Sequence, residues 1–208
     1  MQIFGQDKRK ADSQSVPIAA GPLDRLMVNN VLDGDIYKIF FPSVAVGANK
    51  VFLDLFNGST DLIVQVAQVV PIADGSVAVV GTLGVNLFLT RTTDVGTGGT
   101  AAVAESTALT ATPAISKIDP RSPALSATIT ARAAPGGGAT AGAVLGFNSQ
   151  FSEETALPTY IRNNLLNLPG AYASPLIVTP NTGIRVVQGA VASVGNMAFE
   201  ILFSVRKP

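Results

Sequence analysis

The sequence predicts an all-β protein: an antiparallel, jelly-roll-like β-sandwich with an extended N-terminal arm and one short helical insertion. Apolar and polar residues alternate with a period of two through most of the chain after residue 23, which is the pattern of strands with one face in a core. Turn-forming Gly, Pro and Asn residues separate these segments at short intervals. No long amphipathic helical pattern lies between them, although a parallel α/β sheet would require one.

The first predicted strands include a hairpin. Residues 33–35, Asp-Gly-Asp, favour a turn, and residues 36–41 after them have the apolar content of a strand. Residues 50–56 and 62–70 are two further strands. Asn57-Gly58 follows the first of these two strands, and because both positions tolerate positive φ it predicts a hairpin that joins them.

Four later segments complete the predicted sandwich. Residues 77–80 follow the turn residues Asp74-Gly75, and residues 85–89 and 125–132 alternate apolar with polar side chains. Residues 197–205, the last segment, have the longest regular alternation of the chain. A strand of this length and regularity is expected in the middle of a sheet, where it has a neighbour on each side.

Two regions depart from the strand pattern. Residues 1–22 are polar and contain two prolines near their end, so they predict an extended arm rather than a helix. Residues 23–208 then form a single sandwich domain. Within it, residues 157–168 have apolar side chains at helical spacing, and Pro169-Gly170 ends the predicted helical insertion.

Two Gly-rich stretches, residues 94–100 and 134–140, are predicted to be long loops at one end of the sandwich. Loops of such length in a compact domain are usually functional or ordered by a partner. The first stretch lacks the Lys-Ser or Lys-Thr pair that a phosphate-binding loop needs. We therefore expect a structural or partner-binding role for both.

The charge composition favours a subunit of an assembly over a free monomer. Fourteen basic residues balance fourteen acidic ones, and 13% of the residues are charged, against roughly 25% in typical soluble domains. Repulsion between copies is therefore weak. The basic N-terminus has no apolar segment after it, so we expect no secretory signal peptide. The longest apolar stretch is too short to span a bilayer, so we expect no membrane partner.

The residue types also disfavour an enzyme. The chain contains no His and no Cys, so it lacks the usual general base and any thiolate nucleophile. The carboxylate pairs that a glycosidase would need are sparse: Asp33 with Asp35, Asp54 with Asp61, and Glu153 with Glu154. A calcium ion held at a loop is an alternative use of such a pair. We predict no catalytic residue, no cofactor and no metal site.

The candidate partner-binding residues lie in the arm and beside the helical insertion. Four of them are in the arm: Lys8, Arg9, Lys10 and Ile18. We expect the arm to dock on a like subunit or on another protein. A single basic cluster disfavours a nucleic-acid interface, because phosphate contacts dominate such interfaces. Tyr160, within the insertion, and Tyr172, after it, form the candidate surface for a glycan receptor.

Three segments carry a resemblance to known proteins. Residues 87–101 place an Arg-bearing strand before a Thr/Gly turn, and residues 119–132 and 179–189 follow in the chain. In this order they resemble small β-rich virion proteins of tailed bacteriophages, over residues 50–208. The resemblance implies a capsid-surface, decoration, head-fibre or tail-associated protein of the virion, assembled with copies of itself and with other virion proteins, and implies no active-site residues. A carbohydrate- or receptor-binding module of a fibre or adhesin is the alternative.

Overall fold

The computed structural model describes residues 32, 34–74, 83–105, 112–137, 142–152, 165–167 and 175–208. Thirteen strands occur in these ranges, and no helix does. They are β1 Asp35–Ala45, β2 Val51–Asn57, β3 Ile63–Asp74, β4 Leu83–Thr92, β5 Thr100–Ala101, β6 Val103–Ala104, β7 Ala114–Lys117, β8 Ile129–Ala133, β9 Val144–Ser152, β10 Leu166–Asn167, β11 Leu176–Val178, β12 Thr182–Gln188 and β13 Asn196–Arg206. The predicted all-β class is confirmed.

The strands form two sheets within one compact unit, residues 32–167 and 176–208. The first sheet has the order β10-β3-β13-β1-β7-β6, and β11 also pairs with β3. The second sheet has the order β5-β8-β2-β12-β4-β9. All pairings are antiparallel except that of β6 with β7. The predicted antiparallel sandwich is therefore confirmed in its general form.

The core lies between the two sheets and follows the period-two pattern. On β13, four alternate side chains are at most 2% exposed: Met197, Phe199, Ile201 and Phe203. They contribute to one apolar cluster with the inward side chains of β2, β4 and β12. Rings from opposite sheets meet in this cluster, since the centroids of Phe52 and Phe199 are 5.2 Å apart. As predicted, β13 is central, because it lies between β3 and β1.

The predicted hairpin at Asn57-Gly58 is wrong, because β2 and β3 belong to different sheets. Residues 58–62 instead carry the chain across the sandwich. The buried Asn57 side chain holds this crossover: its Nδ2 donates to the Leu62 carbonyl at 2.8 Å, and its Oδ1 accepts from the Ser59 hydroxyl at 2.6 Å. An Asn side chain that hydrogen-bonds to nearby backbone can form a turn by itself. Asn57-Gly58 can therefore turn the chain without joining two strands of one hairpin.

One side of the sandwich is closed by the chain itself. Residues 100–104 run from β5, at the edge of the second sheet, to β6, at the edge of the first. Between these strands, the Ala102 N–H donates to the Ala131 carbonyl at 2.9 Å. Both sheets therefore end on this side in two-residue strands that belong to one continuous segment.

Several other predictions have different outcomes. The strand predicted over 125–132 begins only at Ile129, because the Ile129 N–H closes a turn onto the Ser126 carbonyl at 2.9 Å. The arm and residues 77–80 lie outside the described residues. So does most of the helical insertion, although Leu166 and Asn167 at its end form β10. In the described ranges, no helix has the length and apolar character to cross a membrane.

Candidate functional site

The outer face of the second sheet, which is turned away from the core, carries a row of polar side chains across four strands. The register aligns them in the order Arg132 on β8, Asp54 on β2, Arg185 on β12 and Thr90 on β4. Their neighbours along each strand point into the core, as strand geometry requires. The row is therefore set by pairing between strands that are distant in sequence.

Asp54 and Arg185 form a buried ion pair at the centre of this row. Arg185 Nε donates to Asp54 Oδ2 at 2.8 Å, and the two side chains are 3% and 0% exposed. Burial raises the pKa of the Asp54 carboxyl, and the hydrogen bond and charge of Arg185 lower it in part. Asp61, the acidic partner considered for Asp54 in the sequence, is instead exposed on the crossover. The carboxylate is thus held by a cation rather than by a second carboxylate.

Metal ligands are also not gathered here. Within the part of the chain that the structure describes, no group of three or more Asp, Glu, His or Cys side chains could hold a metal ion. Asp54 instead lies beside cationic side chains, and the charge of Arg132 also lowers the pKa of its carboxyl. A cation would therefore meet positive charge on both sides of the only carboxylate in the row.

The two Gly-rich stretches cover this ion pair. Residues 93–99 cross the outer face from the end of β4 to β5, and Gly96 lies so close that a Cβ there would be 3.2 Å from Asp54 Cγ. Residues 134–137 meet them, because the Thr97 N–H donates to the Gly137 carbonyl at 3.1 Å. We call residues 93–99 and 134–137 the glycine strap. The prediction of loops at one end is corrected: the strap lies over the middle of β2.

Gly99 is the position in the strap where a side chain is least tolerated. Its φ is +66°, and a Cβ there would lie 2.2 Å from the Ala133 carbonyl oxygen. We expect Gly99→Ala to lower the free energy of unfolding by about 1–3 kcal/mol. Gly136→Ala is the matched control, since a Cβ at Gly136 meets no atom within 4 Å. Urea denaturation of both variants tests this, and equal stability of the two would contradict it.

The edges of the two sheets differ sharply in length. The first sheet ends in β6 on one side and in β10 and β11 on the other, with two or three residues each. The second sheet ends in the two-residue β5 and in β9, which has nine residues. The sequence of β9, Val-Leu-Gly-Phe-Asn-Ser-Gln-Phe-Ser, contains no charge and no Pro. Natural edge strands are usually protected by shortness, charge, Pro or a bulge. β9 lacks the first three, and its register with β4 shifts only near its start, between Val144 and Gly146.

An apolar patch lies on the outer face along this edge. Phe147 on β9 is 56% exposed and Val144 is 60% exposed. The ring of Phe147 packs on the half-buried Phe88 of β4, with centroids 5.1 Å apart, and Val187 of β12 is the register partner of Phe88. We call Val144, Phe147, Phe88 and Val187 the edge patch. Large exposed apolar side chains grouped in this way are typical of interaction surfaces.

The residues predicted as partner-binding from the sequence all lie outside the described residues: Lys8, Arg9, Lys10, Ile18, Tyr160 and Tyr172. The structure adds two residues that the sequence analysis did not select. Arg185 had a signal, since it is a lone charge inside the apolar run of residues 184–187. Phe147 also had one, because the segment around it carries no charge.

Comparison of the chain with protein-family models, with curated proteins and with solved structures found no match. Its function is therefore inferred from the order of its strands, its composition and its exposed surface.

Proposed function

We propose that this chain is a non-enzymatic structural component of a bacteriophage virion, which assembles with copies of itself and docks on other capsid or tail proteins. We propose further that its sandwich is a jelly roll. Jelly rolls consist of eight strands in two sheets, and they form viral capsid and lectin domains. The resemblance of residues 50–208 to small β-rich virion proteins of tailed bacteriophages supports the phage origin.

The strand order is the observation that carries this proposal. Eight of the strands form two sets of four neighbours. The set β1-β13-β3-β11 lies in the first sheet, and the set β2-β12-β4-β9 lies in the second. In chain order, β1 to β4 lie alternately in the first and the second sheet. β9, β11, β12 and β13 then lie alternately in the second and the first sheet. Two Greek keys wound around each other give this interleaving. The segment from β5 to β8 is an insertion that widens both sheets beside β1 and β2.

Composition and chemistry support a structural role. The formal net charge is zero and the charged fraction is low, so copies repel one another weakly. The edge patch presents apolar side chains where a partner would cover them. The buried carboxylate of Asp54 is bound by Arg185, which is the arrangement of a structural ion pair rather than of a general acid.

A carbohydrate- or receptor-binding module is the second candidate. Lectin domains also use jelly rolls, and the exposed aromatic ring of Phe147 is the kind of surface on which a sugar ring stacks. This candidate predicts that a glycan array detects binding by the isolated chain. The structural role predicts no such binding.

Mass spectrometry of purified virus particles tests the proposed function. We expect the chain to be a stoichiometric component, in a fixed ratio to the main shell protein. The recombinant chain is expected to form oligomers in sedimentation velocity runs. Absence from the particles, together with a positive glycan array, would replace the structural role by the receptor-binding one.

A further inference from the structure

We propose that β9 is the surface through which two copies of this chain associate, by antiparallel pairing of β9 with β9 of the second copy. The second sheets of the two copies then form one continuous sheet. This inference rests on the proposed function in that it requires self-assembly, and it names the surface and the partner.

The backbone of β9 offers the hydrogen bonds for such pairing. In an antiparallel ladder, alternate residues direct their N–H and C=O groups to one neighbour and the others direct theirs to the opposite side. Among the described residues, β9 pairs with β4 on one side and with no strand on the other. In the described part of the chain, alternate residues of the nine-residue β9 therefore direct donors and acceptors outward, whereas the other edge strands of the two sheets have two or three residues each.

The absence of charge in β9 favours a second copy as the partner. Around a two-fold axis, the residue on the axis faces its own copy, and every other residue faces the one that lies equally far from the axis on the opposite side. A charged residue near the axis would therefore oppose its own charge, and like charges opposite each other destabilise a strand pair. The sequence of β9 has no Asp, Glu, Lys or Arg, so none of its side chains opposes self-pairing.

The edge patch indicates where the two-fold axis lies. Phe147 is near the middle of β9 and exposes 56% of its surface on the outer face. With the axis at this position, the two Phe147 rings face each other, and each already packs on Phe88 of its own chain. Aromatic side chains opposite each other stabilise strand pairs. The exposed ring is thereby covered by a ring of the same kind.

A single-cysteine variant tests the pairing, because the natural chain has no Cys. Residues directly opposite in an antiparallel pair have Cα atoms about 4.5–5.5 Å apart, a separation that a disulfide spans. We expect Phe147→Cys to give a covalent dimer with a mild oxidant such as copper–phenanthroline. Ile118→Cys is the control, since Ile118 is 53% exposed and follows β7 in the other sheet. It should remain monomeric on a non-reducing gel.

A charged variant tests the same surface without covalent chemistry. Phe147→Lys removes the ring and places two ammonium groups opposite each other, so we expect the dimer dissociation constant to rise about tenfold or more. Ile118→Lys should leave it unchanged. Sedimentation velocity measures the constants, and circular dichroism compares the folding of the two variants.

The outcomes separate this inference from the proposed function. If the natural chain self-associates but Phe147→Cys does not cross-link, or Phe147→Lys associates like the natural chain, the β9 pairing is wrong and self-assembly through another surface remains. If the natural chain is monomeric at every concentration measured, both self-assembly and the β9 pairing are wrong. Cross-linking of Phe147→Cys together with dissociation of Phe147→Lys supports the pairing.

Discussion

Replacement of Arg185 by leucine is expected to lower the free energy of unfolding at pH 7 by about 3–5 kcal/mol, because breaking a buried ion pair leaves a buried charge without its partner. The remaining carboxylate is that of Asp54, whose side chain is 0% exposed beneath Gly96 of the glycine strap. Urea denaturation followed by circular dichroism measures the loss, since the chain has no Trp for fluorescence. A loss below about 1 kcal/mol would mean that water reaches the carboxylate, as it does in exposed pairs.

The loss in free energy of unfolding that Arg185→Leu causes should be smaller at low pH than at pH 7. Burial already raises the pKa of the Asp54 carboxyl in the natural chain, against the lowering effect of Arg185. Without the guanidinium, the folded-state pKa rises further above the unfolded value of about 3.9. Below the unfolded value, the Asp54 carboxyl of the variant is protonated in both the folded and the unfolded chain, so no buried charge destabilises the fold. Stability is lost as the pH rises through the folded-state pKa, because the buried carboxyl must then ionise. Denaturation at pH 4 and pH 7 tests this, and an equal deficit at both would contradict it.

The double variant Asp54→Leu/Arg185→Leu, measured together with Asp54→Leu, is the matched control for the ion pair. Replacement of both partners by apolar side chains leaves no buried charge, and such replacements are often neutral or stabilising. We therefore expect the double variant to be more stable than Arg185→Leu, and the loss in the double variant to differ from the sum of the losses in Asp54→Leu and Arg185→Leu by about 0.5–3 kcal/mol. Losses that simply add would show that the two side chains act independently.

Phe199→Ala is the second variant for which we expect a large effect, a loss of about 3–5 kcal/mol in the free energy of unfolding. Phe199 is 1% exposed, and its ring packs on Phe52 of the opposite sheet. Truncation therefore removes a contact between the sheets and leaves a cavity that neither strand can fill. The same denaturation measurement gives the loss.

The control for Phe199→Ala is Phe40→Ala. Phe40 is on β1, opposite Glu200, and it is only half-buried because it points away from the core. Its truncation should cost clearly less than that of Phe199. Similar losses for the two variants would contradict the assignment of Phe199 to the core between the sheets.

Local patterns predicted the strands well and their partners poorly. Apolar and polar residues alternate along β4 and β13 because successive side chains of a strand point to opposite faces and only one face is buried. This alternation can be seen in the sequence. The Asn57-Gly58 pair illustrates the limit. Its turn chemistry suits a hairpin, but β2 and β3 pair with strands that come much later in the chain, and their apolar faces decide the sheet to which each belongs.

The site was less predictable, because its parts meet only in the folded chain. Asp54 and Arg185 are 131 residues apart, so the sequence could suggest a charged residue inside a strand but not its partner. The Gly-rich stretches were recognisable as unusual loops, yet their position over an ion pair depends on the register of four strands. The partner-binding roles of the arm and of the two tyrosines remain predictions.

The closed side of the sandwich limits how far copies can add to one another. There the chain passes from β5 to β6 and leaves only two-residue strands at the edges. Two copies joined at β9 would form a composite sheet that begins and ends with β5. Neither end then offers a template for a further strand, so growth by this route stops at two. A larger shell would then have to use the pair as its repeating unit and connect pairs through other surfaces.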